Sequence, residues 1–139
     1  MGQIWEIVIK YWPMYLRGAG VTLYLSILGT VFGFIIGLLA GIIRSIPVPE
    51  DGWKRILLRA VNAILAVYIA IFRGTPMIVQ AMVIYYGAAQ AGFEMDRMAA
   101  GIMIVSINTG AYMAEIIRGG IISIDTGQFE AAQALGMNP

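Results

Sequence analysis

From Val21 to Ile43 the chain carries no charged residue. At a rise of about 1.5 Å per residue, a helix of that length crosses a hydrocarbon core of about 30 Å. No other feature restricts the fold as much, because inside lipid each backbone amide must find its partner within the spanning structure itself. The rest of the composition agrees. Hydrophobic residues make up 60% of the 139 and charged residues 12%, against about 25% charged in a soluble domain. The apolar residues fall in long blocks, which argues for membrane spans over a globular core. The chain reads as an all-α integral membrane protein.

Within this first span Gly29, Gly33, Gly37 and Gly41 recur every four residues and form one nearly continuous ridge. Glycine lets two helix backbones approach closely, which is how helices associate where lipid removes the hydrophobic incentive. The ridge is therefore a helix-packing surface, and its neighbour is either another helix of the chain or a partner subunit. Several function classes drop out at the same time. With no Cys and no His, disulfides, thiol chemistry and the usual zinc sites are excluded, and no nucleophile–base pair of the familiar kind can form. A net charge of +1 without a dense basic cluster does not suit a nucleic-acid partner. Only Lys10 and Lys54 are lysines and neither follows Gly, so no phosphate-binding Gly-x-x-x-x-Gly-Lys motif is present. The start, Met1-Gly2-Gln3-Ile4-Trp5-Glu6, lacks the basic region of a cleavable signal.

The remaining segments follow in order. Residues 1–18 hold Trp5, Tyr11, Trp12 and Tyr15, interrupted by Pro13, and read as an interfacial helix with a break at the proline, since Trp and Tyr favour the headgroup layer. Arg44 to Arg59 reads as a polar connector with Pro47, Pro49, Glu50, Asp51, Lys54, Arg55 and Arg59. Its basic residues predict a cytoplasmic position and hence an external N-terminus. Ala60 to Ala91 is too short for two crossings. It is expected to cross once, bent at Pro76, which removes a backbone donor, with Ala60 to Phe72 angled near the cytoplasmic face and Met77 to Ala91 supplying most of the crossing. Gly92 to Arg97 is a short outer loop, and Met98 to Ile117 the third crossing, returning the chain to the cytoplasm at Arg118-Gly119-Gly120. A tail helix follows, capped by Asp125 with Gln128 at capping-box spacing. Phe129, Ala132 and Gly136 share a narrow small-residue face that suits a groove in a partner.

Asn108, Tyr112 and Glu115 lie at i, i+4 and i+7 of the third span, on one helix face. An ionisable group costs roughly 2.5–3.5 kcal/mol at a span centre on insertion scales, so such residues face a bundle interior or a watery path. Two readings stand for Glu115: it meets a substrate's ammonium group, or it pairs with Arg118 or Arg73 near the helix end. Gln80 either faces the path or makes a helix–helix hydrogen bond. Arg73 is a snorkelling or paired residue, and Thr75 and Pro76 belong to the kink beside it.

Three blocks together resemble the permease subunits of polar-amino-acid ABC importers. They are Tyr68-Ile69-Ala70-Ile71-Phe72-Arg73-Gly74-Thr75-Pro76-Met77-Ile78-Val79-Gln80, then Asn108-Thr109-Gly110-Ala111-Tyr112-Met113-Ala114-Glu115-Ile116-Ile117-Arg118-Gly119-Gly120-Ile121, then Gly127 to Gly136. The third is similar to the start of that family's cytoplasmic coupling loop, whose Ile-x-Leu-Pro ending and two further spans do not occur in this chain. The resemblance implies a type I ABC importer permease fold over residues 19–139, of which this chain holds the N-terminal part with about three transmembrane helices. It implies a bacterial cytoplasmic (inner) membrane location and a translocation path involving Asn108, Tyr112, Glu115 and Gln80. Arg73, Thr75, Pro76 and Arg118 would have gate or structural roles. Phe129, Glu130, Ala131, Ala132 and Gly136 would dock onto a cytosolic ABC ATPase. A second permease subunit, an extracytoplasmic amino-acid-binding protein and membrane lipid complete the expected partners. No cofactor is expected, and ATP hydrolysis falls to the separate ATPase. The competing reading is a small non-transporting membrane protein, an assembly or regulatory partner built from the same three-span unit.

Overall fold

A computed structural model describes residues 2–50 and 52–137. Asp51 of the connector and the terminal Asn138-Pro139 lie outside the described residues. Five helices follow one another: α1 (Gly2–Ser45), α2 (Trp53–Gly74), α3 (Met77–Gln90), α4 (Arg97–Ile122) and α5 (Thr126–Ala134). Among the described residues α1, α2 and α4 are long and apolar enough to cross a membrane.

The expected break at Pro13 is absent, because α1 runs through it as a single 44-residue helix. The proline leaves the Ile9 carbonyl without its usual helical donor, yet the apolar sequence on either side sustains the helix. At about 1.5 Å per residue α1 is about 66 Å long, more than twice a hydrocarbon core. Two further boundaries differ from expectation. Helix α2 begins at Trp53 rather than Ala60, so Lys54, Arg55 and Arg59 stand on its first turns instead of in the connector. Helix α4 continues to Ile122, taking Arg118-Gly119-Gly120 into the helix. Neither glycine met anything that required a turn, and helical hydrogen bonding prevailed over their weak propensity.

The glycine ridge of α1 packs onto α4 of the same chain. A Cβ placed at Gly29 would lie 2.5 Å from a Val105 methyl, at Gly33 2.6 Å from Thr109 Cβ, at Gly37 2.3 Å from Met113 Cβ, and at Gly41 2.9 Å from Ile117 Cβ. Both series climb together in steps of four, so α1 and α4 run parallel. The seam is tight: Ala111 and Ala114 of α4 have no exposed surface, and Ala40 of α1 is buried beside them.

That parallel pairing determines what lies between. Two neighbouring helices pointing the same way require the intervening chain to travel back. Ile69 of α2 joins Ala40, Ala111 and Ala114 in one buried cluster, with Leu65, Tyr68 and Phe72 packed against it. Farther along, Ala81 and Tyr85 of α3 border a cavity with Ala100, Gly101 and Ile104. As residue numbers rise along α2 and α3 they fall along α4, so α2 and α3 together form one antiparallel return, interrupted at Thr75–Pro76. The bend expected at Pro76 is present, but the division of lengths is the reverse of the expected one: α2, which starts at Trp53, is by itself long and apolar enough for a span, and α3, at 14 residues, is not. Large apolar side chains such as Leu23, Phe34, Ile64 and Val83 point outward, the inverse of a soluble core and the arrangement lipid favours.

Gly37→Val should destabilise the folded protein by about 1–3 kcal/mol through overpacking against Met113. Gly20→Val, where an added Cβ meets nothing within 4 Å, should change it little. Thermal melting of both variants in detergent checks the contrast.

Candidate functional site

The polar residues singled out in the sequence fall into two clusters and one isolated pair. The first cluster sits at the break between α2 and α3. Thr75 is extended (φ −122°, ψ 147°) and Pro76 follows at φ −62°, ψ 133°. Proline has no N–H, so the carbonyl four residues earlier, that of Phe72, loses its helical donor. Two side-chain amides replace it: Gln80 Nε2 donates to Phe72 O at 3.0 Å and Asn108 Nδ2 at 3.2 Å. Gln80 Nε2 also lies 2.9 Å from Thr75 O and 2.8 Å from Thr75 Oγ1, while Thr75 Oγ1 donates to Ile71 O at 2.8 Å. Asn108 Nδ2 reaches Gln80 Oε1 at 3.0 Å, closing the network across to α4. Gln80 is only 7% exposed. A buried carbonyl left unpaired costs about 1–3 kcal/mol, so this network is what makes the break tolerable in an apolar bundle.

One level along α4, Tyr68 donates its hydroxyl to Ile107 O at 2.5 Å. Gly110 makes the approach possible, since a Cβ there would lie 2.9 Å from the Tyr68 hydroxyl and 2.8 Å from an Ile36 methyl. The second cluster lies near the far end of α4. Glu115 forms an ion pair with Arg44, in the last turn of α1, and its other oxygen lies 3.7 Å from Arg118 Nε. The three side chains are 25%, 18% and 36% exposed. Glu115 thus pairs with Arg118, as one reading had it, and with Arg44 instead of Arg73. Arg73 sits over the Tyr112 ring, 5.5 Å from its centroid.

The tail helix α5 buries none of its residues. Asp125 caps it by accepting from Gly127 N at 2.7 Å. Its far end closes with Met137 N donating to Ala132 O at 3.0 Å and Gly136 N to Gln133 O at 2.9 Å. That paired closure needs a left-handed residue, supplied by Gly136 at φ +76°. Phe129, Glu130, Ala131 and Gly136 are exposed and Ala132 half-buried.

Residues 33–139 match the family described as binding-protein-dependent transport system inner membrane component. The chain belongs to this family. It is 38% identical over 136 residues to the glutamine transport system permease protein GlnP of Escherichia coli (strain K12), covering 96% of this chain and 58% of the relative. It is 36% identical over 126 residues to the arginine transport system permease protein ArtQ of Bacillus subtilis (strain 168), covering 90% and 53%. A solved structure, the crystal structure of an amino acid ABC transporter with histidines, superposes with a TM-score of 0.75 at 35% identity, covering 94% of this chain and 56% of that one. The chain spans a little over half the length of these relatives. Within the inner-membrane transport family its architecture is the all-α type I permease fold.

Among the features that organise the site, Arg44, Tyr68 and Gly110 were not singled out as site residues from sequence. Arg44 is 71 positions from Glu115, and no local pattern links them. The Phe72 carbonyl was in principle legible, because it stands four residues before a proline in an apolar run.

Asn108→Leu should cost about 1–3 kcal/mol, since it removes two hydrogen bonds and leaves Gln80 Oε1 without this donor. Chemical denaturation of the detergent-solubilised protein measures the loss.

Proposed function

We propose that this chain helps form the translocation path for a polar amino acid in an ATP-driven importer. A cytosolic ATPase supplies the energy, a second permease subunit faces this one, and an extracytoplasmic binding protein delivers the substrate. Membership of the transport family and the amino-acid permeases among its relatives support this reading. The observation that carries it is the break at Thr75–Pro76, set beside Asn108 near the middle of the 26-residue α4. Non-helical backbone at membrane depth is tolerated where it is buried in protein or lines a watery cavity, and polar groups at that depth mark a route for polar cargo.

In this reading the path follows the α4 face of Asn108, Tyr112 and Glu115. Gln80 and Asn108 hold the break in shape, with Thr75 and Pro76 setting its angle. Tyr112, 45% exposed, offers the surface that cargo meets. Glu115, held between Arg44 and Arg118, ties α1 to α4 at the cytoplasmic end, close to the connection leading into α5. Helix α5 is the coupling element. Its small residues Ala131, Ala132 and Gly136 allow close approach to an ATPase groove, flanked by Phe129 and Glu130. The N-terminus lies outside, with the aromatic turns of residues 1–18 at the outer interface.

Because the chain contains no cysteine, single introduced cysteines report topology cleanly. Glu94→Cys should react with a membrane-impermeant maleimide in intact spheroplasts and Gln128→Cys only after permeabilisation; the opposite pattern would overturn the orientation. Gly136→Val strains the positive-φ closure of α5 and should reduce co-purification of the ATPase about tenfold or more while the permease still reaches the membrane. Retention at the wild-type level would exclude α5 as the coupling element.

A further inference from the structure

The importer reading leaves open which group of an amino acid the path recognises, and the charges near the break bear on it. Glu115 is the only carboxylate that an ion pair links to the α4 seam among the described residues, and Arg44 and Arg118 both lie on it. Glu115 is therefore already neutralised by Arg44, with Arg118 beside it, which makes it a poor receiver for a substrate's ammonium. Arg73 is in the opposite position. It stands in the last turn of α2, next to the Phe72 carbonyl that Asn108 holds at the middle of α4. Among the described residues it meets no carboxylate and stands over the Tyr112 ring.

The C-terminal end of α2 and the Tyr112 face both favour a cation there. Among the described residues the guanidinium N–H groups make no hydrogen bond to either. A cation at this depth is costly, and such residues ordinarily mark a functional site with a partner. The partner that fits is a carboxylate, because the planar guanidinium presents two parallel donors matching its two oxygens. The break adds a second favourable feature. Helix α3 starts just past Arg73, and no side chain caps its positive end.

We propose that Arg73, oriented by the Tyr112 ring, binds the α-carboxylate of the transported amino acid at the α2–α3 break. This rests on the importer reading and reverses one expectation within it: recognition falls on the acid group through Arg73, and not on the ammonium through Glu115. All α-amino acids carry that carboxylate, so the contact anchors the common part of the substrate and leaves selection among side chains to other residues and to the binding protein.

The test is equilibrium binding to the complete transporter in nanodiscs, with the binding protein omitted so that its own selectivity plays no part. The probes are L-glutamine, L-arginine and L-histidine, each beside its α-carboxamide. Wild type should prefer at least one acid over its amide. Arg73→Gln should weaken that acid about 10- to 100-fold, the range of a charge-assisted hydrogen bond, leave the amide nearly unchanged, and so abolish the preference. Tyr112→Ala should shift it in the same direction and Tyr112→Phe should not. ATPase co-purification confirms assembly of each variant. If Arg73→Gln does not assemble, Arg73→Lys decides. It keeps the charge and loses the fork, and selective weakening of the acid supports the assignment whereas equal affinities for wild type and variant overturn it. Undiminished acid preference in an assembled Arg73→Gln transporter overturns the carboxylate contact alone. No binding of any probe by wild type overturns it together with the amino-acid importer reading.

Discussion

Backbone-to-backbone contact between α1 and α4 is the constraint from which the rest of the arrangement follows. In lipid, apolar side chains gain nothing by leaving their surroundings for one another, so association depends on close packing and on hydrogen bonds. Gly29, Gly33, Gly37 and Gly41 allow that packing over four successive turns, with Val105, Thr109, Met113 and Ile117 filling the space where side chains would stand. Because the two series advance in the same direction, the helices are parallel. Once they are parallel, the segment between them has to return across the bundle, and α2 and α3 do so antiparallel to α4. The ion pair of Arg44 with Glu115 then closes the same seam at its end.

The return path compensates for a proline with side chains. Pro76 takes a donor from Phe72 O, and Gln80 from the next helix and Asn108 from the facing one supply replacements. The two halves of the return meet α4 at a shared hydrogen-bonded point. From there α4 runs on to Ile122, and residues 123–125 connect it to α5.

Much of this was legible along the chain because membrane proteins obey a severe local rule: every span must satisfy its own backbone. The length of the Val21–Ile43 run, the bend at Pro76, the cap at Asp125 and the turn at Gly136 all follow from short-range chemistry, and the helices bear them out. The misreadings came where local rules conflict with helix cooperativity. Pro13 did not break α1, and Gly119-Gly120 did not end α4, because one weak residue does not outweigh the hydrogen bonds on both sides in an apolar helix. Lys54, Arg55 and Arg59 suggested a loop by their charge, but at a helix start they project from the first turns without needing one.

The sequence by itself determined that the chain is helical, membrane-embedded and built around a small-residue ridge, since these depend on hydrophobicity and on spacing within a few turns. It also determined which residues had to be satisfied: a lone carboxylate at Glu115, a cation at Arg73 and amides at Gln80 and Asn108. Only the tertiary structure decided the partners. That the ridge meets α4, that Arg44 reaches Glu115 across 71 positions, and that Arg73 is left to Tyr112 all depend on the parallel register of two distant helices. Periodicity within one segment carries no information about that register, because it is set by how two surfaces interlock.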